Sequence, residues 1–393
     1  MRSGQKLEEE MINILIDGNY IFHKTFGIFA GYGSNVDPGK VLKSKSDQSM
    51  FIRKIATDLC ASLKMLPVGG RLVFTSDSRS WRKEVEIEDG GYKSGRVKDE
   101  NVDWSIFFEL MQSFGAHLEK MGFIFSKIDG AEGDDLLLYW SQKFNDEGES
   151  CIIISGDKDL HQLARMKGPD IWTATWNSNS KKNILSVPTG WKENWLNESR
   201  SEVSIFNMGS TISPEKERLK DFLKKVDIEE IDSFPFIFNK ILIGDKGDSV
   251  PSVWEFESAG KTSRFTPKSA EKIYDLFLES SWKNIKSFRS LVDDDDFLSW
   301  ISPLILKIGK GVDSTENRTK VKHNFLRNLK LMWLDDSVIP ENVSMNCKLE
   351  TSRGINLEKK SVTLDRIKIL EGTEWISTAS QPKGFDPFEH FLK

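Results

Sequence analysis

Three apolar runs that each end in an aspartate constrain this chain most. Ile12–Ile16 is followed by Asp17, Leu72–Phe74 leads to Asp77, and Ile152–Ile154 leads to Asp157 and Asp159. Between them, Ile52, Ile55, Leu59, Leu63 and Leu66 recur at helical spacing, as do apolar residues over Trp104–Leu118 and Leu136–Phe144. Phe123–Phe125 reads as one more strand. Strands separated by helices of this length predict βαβ units and an α/β fold with a doubly wound, mainly parallel sheet. In such a sheet the C-terminal strand ends share one edge, and ligands bind in the crevice there. Three independent strands therefore deliver carboxylates to one place. Glu132-Gly-Asp134-Asp135 opens the helix after Phe123–Phe125 and adds to the same edge.

Any one of these acids has an ordinary explanation. Aspartate after a strand is a common turn residue, and acids in a first helical turn suit the helix dipole. All four groups together resist that explanation, because so many anions at one edge repel unless cations neutralise them. Oxygen donors without His or Cys suit a hard cation, Mg²⁺ or Mn²⁺. More than four carboxylates suggest two ions, and a metal pair serves phosphoryl transfer, nuclease action included.

Composition narrows the alternatives. The 393 residues suffice for two or three domains at roughly 100–200 residues each, and 12 Trp with 25 Phe predict packed cores. No apolar run approaches the roughly 18 residues that span a bilayer, so no membrane role is expected. The start lacks the apolar stretch of a secretion signal, so a cytoplasmic protein is expected. Cys60, Cys151 and Cys347 are scattered and lack metal-ligand spacing, and the 5 His form no HxH or HExxH motif. The net charge of −5 argues at first sight against a nucleic-acid partner. That reading changes if the acidic excess is itself a metal-binding crevice. Asp293–Asp296 reads as a solvated loop and helix cap.

Leu242-Ile-Gly-Asp245-Lys-Gly-Asp248-Ser-Val-Pro251 carries a further acidic pair. Its spacing predicts two carboxylates about one helical turn apart, or simply a helix cap. Lys93 and Arg96 are likewise spaced for one helical face, beside Tyr92. An arginine forks onto phosphate and an aromatic stacks on a base.

Six motifs in order resemble the structure-specific 5′-nuclease family, which includes flap endonucleases and the 5′-nuclease domains of bacterial DNA polymerases. They are Ile16-Asp17-Gly-Asn, Val73-Phe-Thr-Ser-Asp77, Gly91-Tyr92-Lys93-Ser-Gly-Arg96, Gly130-Ala-Glu132-Gly-Asp134-Asp135, Ser155-Gly-Asp157-Lys-Asp159-Leu-His-Gln-Leu163 and Gly244-Asp245-Lys-Gly-Asp248-Ser-Val-Pro251. Arg79-Ser-Trp-Arg-Lys-Glu and Val102-Asp-Trp-Ser-Ile-Phe107 are most similar to the T-even bacteriophage ribonuclease H branch. The resemblance covers about residues 12–180 and 236–275, and more faintly continues to about 340.

The resemblance implies a PIN-like nuclease core over 1–185 with a helical arch at about 79–103. An insertion or linker at 186–233 would follow, then a helical DNA-binding region at 234–340 containing a helix–three-turn–helix, and a C-terminal extension at 341–393. It implies two Mg²⁺ (or Mn²⁺). Asp17, Asp77, Glu132 and Asp134 would hold the first, Asp157 would lie between them, and Asp159, Asp245 and Asp248 would surround the second, with Asp135 as a further family acid. Lys93 and Arg96 would act on the scissile strand from the foot of the arch. Tyr92, Lys93, Arg96, Arg79, Arg82, Lys261, Arg264 and Lys268 would contact DNA. Ser252–Arg264 departs from the Gly-Ile-Gly hairpin of cellular members, where a monovalent ion would sit.

The activity implied is a 5′→3′ exonuclease or flap endonuclease acting at junctions of single strand and duplex, removing RNA primers and 5′ flaps in phage-type replication. Its substrates would be branched or nicked DNA and RNA–DNA duplex, handled by a monomer. The competing readings are an RNA-cleaving PIN-like ribonuclease and a catalytically inactive DNA-binding scaffold. Phe385, Phe388 and Phe391 sit three apart in the tail and suit docking on a sliding clamp or single-strand-binding protein, or packing on the body of the chain.

Overall fold

The computed structural model describes residues 12–29, 42–66, 70–87, 90–96, 102–168, 171–178, 183–195, 221–258, 261–285, 287–291 and 294–356. The chain divides into two compact units, the first from residues 1–79, 98–231 and 345–393 and the second from residues 80–97 and 232–344. The C-terminal phenylalanines lie outside the described residues.

The first unit is built on β1 (Ile12–Asp17), α1 (Gly18–Phe29), α2 (Lys45–Met65), β2 (Leu72–Thr75), α3 (Trp104–Lys120), β3 (Ile124–Ser126), α4 (Gly133–Asp146) and β4 (Ser150–Ile154). After β4 come a short 3-10 turn (Lys158–Leu163), β5 (Arg165–Met166), β6 (Trp172–Ser178), β7 (Asn183–Pro188), the short helix α5 (Trp191–Trp195) and β8 (Asp227–Ile231). The main path of the sheet runs β3-β2-β1-β4-β6-β7-β8, with β5 on β6. Pairing is parallel from β3 through β6, antiparallel for β6 with β7, and parallel again for β7 with β8. The chain moves outward one way from β1 through β2 to β3, then restarts at β4 on the other side of β1. The strand order therefore reverses between β1 and β4, where α/β sheets bind their ligands.

Strand alternation divides the core. Ile12, Ile14 and Ile16 of β1 and Ile152 and Ile154 of β4 share one cluster with apolar residues of α1, α2 and α3. At its centre Phe22 makes edge-on contacts with Phe51, Phe107 and Phe114 at ring separations of 5.7, 5.8 and 5.7 Å. Such pairs stabilise by about 0.5–1.5 kcal/mol each beyond burial. Leu15 and Ile153 point to the opposite face and are also fully buried. On the sheet, α4 packs against β1, β2 and β4. Helices on both faces are what buries a parallel sheet of continuous Ile and Leu.

One expectation changes here. The segment from 186 onward was expected to be insertion or linker, yet its two ends pair as β7 and β8 and extend the sheet. Polar, Glu-rich β8 has only partly buried or exposed residues, so it lacked the apolar pattern of a core strand. The helix α1, with no gap after β1, also carried no separate periodic signal.

The second unit contains α6 (Ser233–Ile243), an antiparallel hairpin of β9 (Glu255–Ser258) and β10 (Lys261–Arg264), then α7 (Pro267–Glu279), α8 (Asp295–Ile308) and α9 (Thr315–Met332). Phe234, Phe238, Phe277, Phe288 and Phe297 anchor its own core. As expected for the acidic run, Asp294 caps α8 by accepting from the Asp296 and Phe297 amides. The stretch between α6 and α7 is a turn and a hairpin, so Lys261 and Arg264 sit on a strand. The turn closes through reciprocal backbone bonds between Asp245 and Val250, at 2.9 and 2.7 Å. Gly244 has φ +76, and a Cβ there would meet Val250 O at 2.5 Å, so only glycine lets α6 end against this turn. Asp245 and Asp248 therefore stand in a closed loop, where one helical turn was expected. Among the described residues, no helix is long and apolar enough to cross a membrane.

Candidate active site: a carboxylate crevice on the sheet edge

The first unit brings the predicted acids together by topology. Asp17 ends β1, Asp77 follows β2 by two residues, Glu132 caps α4, Asp134 lies in its first turn, and Asp157 caps the 3-10 turn after β4. Each sits at the C-terminal side of its strand, on both sides of the strand-order reversal.

Local hydrogen bonds orient them. Asp17 Oδ1 accepts from the Tyr20 amide at 2.9 Å, and its Oδ2 accepts from the Ser155 hydroxyl at 2.7 Å. The same Ser155 oxygen accepts from the Asp157 amide at 3.0 Å, so one side chain ties the ends of β1 and β4 together. Asp77 Oδ1 accepts from the Gly133 amide at 2.7 Å, and the Asp77 amide donates to Asn19 Oδ1 at 3.2 Å. Asp157 Oδ1 accepts from the Asp159 amide at 2.8 Å. Asp135 is fully buried, and its Oδ2 accepts from the Glu132 amide at 3.0 Å. That bond closes the first turn of α4, so the structure gives Asp135 a capping role beside the ligand role expected of it.

The electrostatics are unfavourable as they stand. Burial pushes Asp17 up to about 7; the Tyr20 amide and Ser155 hydroxyl oppose this, while Asp77 and Asp157 add to it. Asp134 is pushed well above the ordinary carboxylate range, first by burial and then by the charges of Asp17, Asp157, Glu132 and Asp77. The neighbouring charges that act most strongly on Asp134 are all negative. Among the described residues no three His, Cys, Asp or Glu side chains close on one point as a ready-made metal cage. An all-oxygen donor set in which neighbouring carboxylates help push Asp17 and Asp134 upward fits hard divalent cations, which would relieve both burial and repulsion.

Asp245 and Asp248 are engaged within the second unit. Lys240 Nζ lies 2.9 Å from Asp245 Oδ2, and Asp245 Oδ1 accepts from the Gly247 amide at 2.7 Å. Burial alone would raise Asp245, but Lys240 and the Gly247 and Asp248 amides together hold it below the usual range. Asp248 Oδ2 accepts from the Tyr92 hydroxyl at 3.0 Å, and its Oδ1 pairs with Arg96 Nη2.

The basic motif differs from expectation in shape. Residues 90–96 form turns, not a helix, and Lys93 has φ +61. Tyr92 is only 8% exposed and packs with Val250, Leu331 and Met332, and Lys93 Nζ lies over its ring at 4.8 Å. A ring so covered cannot stack on a base; the tyrosine is a structural anchor. Arg82 also departs from its expected phosphate role. It is 1% exposed, donates from Nε to Leu331 O at 3.0 Å and stacks on Trp81 at 4.6 Å. Arg79 and Lys268 are exposed, and exposed Arg264 pairs across the hairpin with Glu255 at 3.2 Å.

The residues that sequence reasoning passed over are Asn19, Tyr20, Gly133 and Ser155. Each lies within three positions of a motif carboxylate, which is the signal that marks them.

Comparison with known proteins bears on these features. Residues 13–190 match the family described as 5′-3′ exonuclease, N-terminal resolvase-like domain. A 5′-3′ exonuclease of Mycoplasmopsis pulmonis is 26% identical over 282 residues, covering 71% of this chain and 73% of that protein. The thermostable DNA polymerase I of Thermus aquaticus is 29% identical over 154 residues, 38% of this chain and 16% of the polymerase. Among solved structures, the T5 D15 protein co-crystallised with metal ions aligns with a TM-score of 0.48 at 15% identity, covering 88% of this chain and 99% of that one.

Proposed function

We propose that this chain, whose residues 13–190 match the 5′-3′ exonuclease N-terminal domain family, is a structure-specific 5′ nuclease whose carboxylate crevice binds two divalent cations and hydrolyses phosphodiesters. The substrates are branched or nicked DNA and RNA–DNA duplex, cut near the junction of single strand and duplex. The products carry a 5′-phosphate. Primer and flap removal during replication is the use that this specificity suits.

Asp17, Asp77, Glu132, Asp134 and Asp157 would hold the cations, Mg²⁺ or Mn²⁺. When bound, such a pair supplies a hydroxide at neutral pH and neutralises charge on the phosphate and the leaving oxygen. The protein's own residues do the rest. Ser155 and the Tyr20 amide fix the rotamer of Asp17, and the Gly133 amide fixes Asp77. Lys93 and Arg96 contact strand phosphates from their turn, where arginine's fork favours a two-point grip. Exposed Arg79 and Lys268 add backbone contacts, which position a duplex without reading its sequence.

The observation that carries this reading is the gathering of Asp17, Asp77, Glu132, Asp134 and Asp157 at the C-terminal edge of one parallel sheet, on both sides of its strand-order reversal. The test compares wild type with Asp134→Asn on a 5′-flap duplex in Mg²⁺, alongside a calorimetric Mn²⁺ titration. The expected result is cleavage by wild type alone, with Mn²⁺ affinity weakened in the variant. A wild type inert on flap, nicked and RNA–DNA substrates would overturn the nuclease reading.

A further inference from the structure

The turn of residues 90–96 is docked along one side of the loop of residues 245–250, within the second unit. Four bonds join them: the Lys93 amide to Asp248 O at 2.7 Å, the Gly95 amide to Ser249 Oγ at 2.7 Å, the Tyr92 hydroxyl to Asp248 Oδ2 at 3.0 Å, and Arg96 Nε to Gly247 O at 3.3 Å. The Arg96–Asp248 ion pair is a fifth. The two segments are about 150 residues apart in sequence, as the Gly95–Ser249 bond shows.

The loop itself is braced from beneath. Asn328 on α9 donates to both Ile241 O and Pro251 O at 2.9 Å, and Arg327 holds the Asn328 oxygen at 3.1 and 3.0 Å. Both are buried, so these polar groups fix the loop's two ends firmly. On the other side, Lys93 and Ser249 face each other's segments with φ +61 and +60, conformations that non-glycine residues hold only when surroundings impose them. A Cβ on Gly95 would come within 2.9 Å of Ser249 Oγ, so the fit at that point admits only glycine without a shift.

We infer that Asp248 and Ser249 are positioning residues: they form a template that holds the Lys93–Arg96 turn in its phosphate-contacting shape. The acid that the family resemblance assigned to a metal meets the basic turn in this structure. Both carboxylate oxygens of Asp248 are taken by Tyr92 and Arg96, and the backbone of Asp248 sets Lys93. Tyr92 is the linchpin, its ring under Lys93 Nζ and its hydroxyl on Asp248. Freezing a turn in advance lowers the entropic cost of gripping a phosphate in the reactive geometry.

The inference rests on the nuclease reading for its functional consequence, and the experiment separates the two. Ser249→Ala, Tyr92→Phe, Asp248→Asn and the Tyr92→Phe/Asp248→Asn double variant are compared in the full chain. Amide hydrogen exchange at Lys93 and Gly95 needs no activity; it is expected to quicken at least tenfold in Ser249→Ala and Asp248→Asn. Single-turnover cleavage of a 5′-flap duplex in Mn²⁺ is expected to slow at least tenfold in each single variant. Duplex affinity and the Mn²⁺ half-saturation should stay within twofold of wild type. The double variant should be no slower than its slower parent, because both changes break one unit.

Unchanged exchange at both amides would overturn the template. So would wild-type cleavage by Ser249→Ala and Tyr92→Phe combined with a raised Mn²⁺ half-saturation in Asp248→Asn, which would mark a metal ligand. If wild type cuts no substrate, the nuclease reading fails and the exchange result alone decides whether the template exists.

Discussion

The Gly133 amide donates to Asp77 Oδ1 at 2.7 Å, joining the loop after β2 to the first turn of α4. The contact leaves no room: a Cβ on Gly133 would lie 3.1 Å from that same oxygen and 3.3 Å from Thr75 Oγ1. Gly133→Ala should therefore displace the Asp77 carboxylate by a few tenths of an ångström while α4 survives, alanine being the better helix former. Cleavage should fall by about tenfold or more, since sub-ångström misplacement of a reacting group is costly. The measurements are single-turnover kinetics and thermal melting, and a parental rate would show that Asp77 tolerates the shift.

Ser155 holds Asp17 with its hydroxyl and the Asp157 amide with its lone pair. Ser155→Ala removes both bonds and touches no other predicted ligand. By analogy with outer-shell partners of metal sites, a loss of about 10–100-fold in metal affinity or rate is expected. Mn²⁺ titration by calorimetry checks it, and Ser155→Thr, which keeps the hydroxyl, should recover part of the loss.

Raised carboxyl pKa values give the metal-free protein a distinctive pH response. With Asp17 near 7 in the folded state against 3.8 as the ordinary value, the native state holds more protons than the unfolded chain between those limits. Stability is then greatest below about pH 4 as far as this group is concerned, and falls as pH rises toward 7. Asp134 acts in the same direction. In EDTA the melting temperature should drop across this window, and Asp17→Asn should flatten the drop. Mg²⁺ should stabilise more at pH 8 than at pH 5.5, because cations bind the ionised carboxylates. A metal-induced shift independent of pH would contradict the assignment.

Arg82 separates structural from binding arginines. Replacing it by alanine strands Leu331 O and uncovers Trp81, an expected cost of about 1–3 kcal/mol for the buried acceptor alone. Urea denaturation should show that loss. Flap-duplex affinity under fully folded conditions should match wild type, whereas Arg96→Ala should slow cleavage without a comparable loss of stability.

Much of the active edge was legible because its cause is local. An apolar strand of Ile and Leu followed by Asp17 states both the strand and the position of the acid, and the same holds for Asp157 after Ile152–Ile154. β8 was not legible: Asp227–Ile231 has no apolar face to announce it, and it forms a strand only because β7 offers it a partner. The Lys93–Arg96 spacing suggested a helix because periodicity ignores what docks on a segment. Contact with the loop of residues 245–250 imposes a turn with Lys93 in the left-handed region.

The charge of −5 shows the same division. Sequence alone determined which acids gather, since strand order and helix starts deliver Asp17, Asp77, Glu132, Asp134 and Asp157 to one sheet edge. Tertiary structure decided what the remaining motif residues do. Asp135 became a helix cap, Arg82 and Tyr92 became buried anchors, and Asp248 became the partner of Tyr92 and Arg96. The reason is physical: a residue type and its spacing fix the chemistry on offer, but burial and the nearest hydrogen-bonding partner fix which part of that chemistry is used.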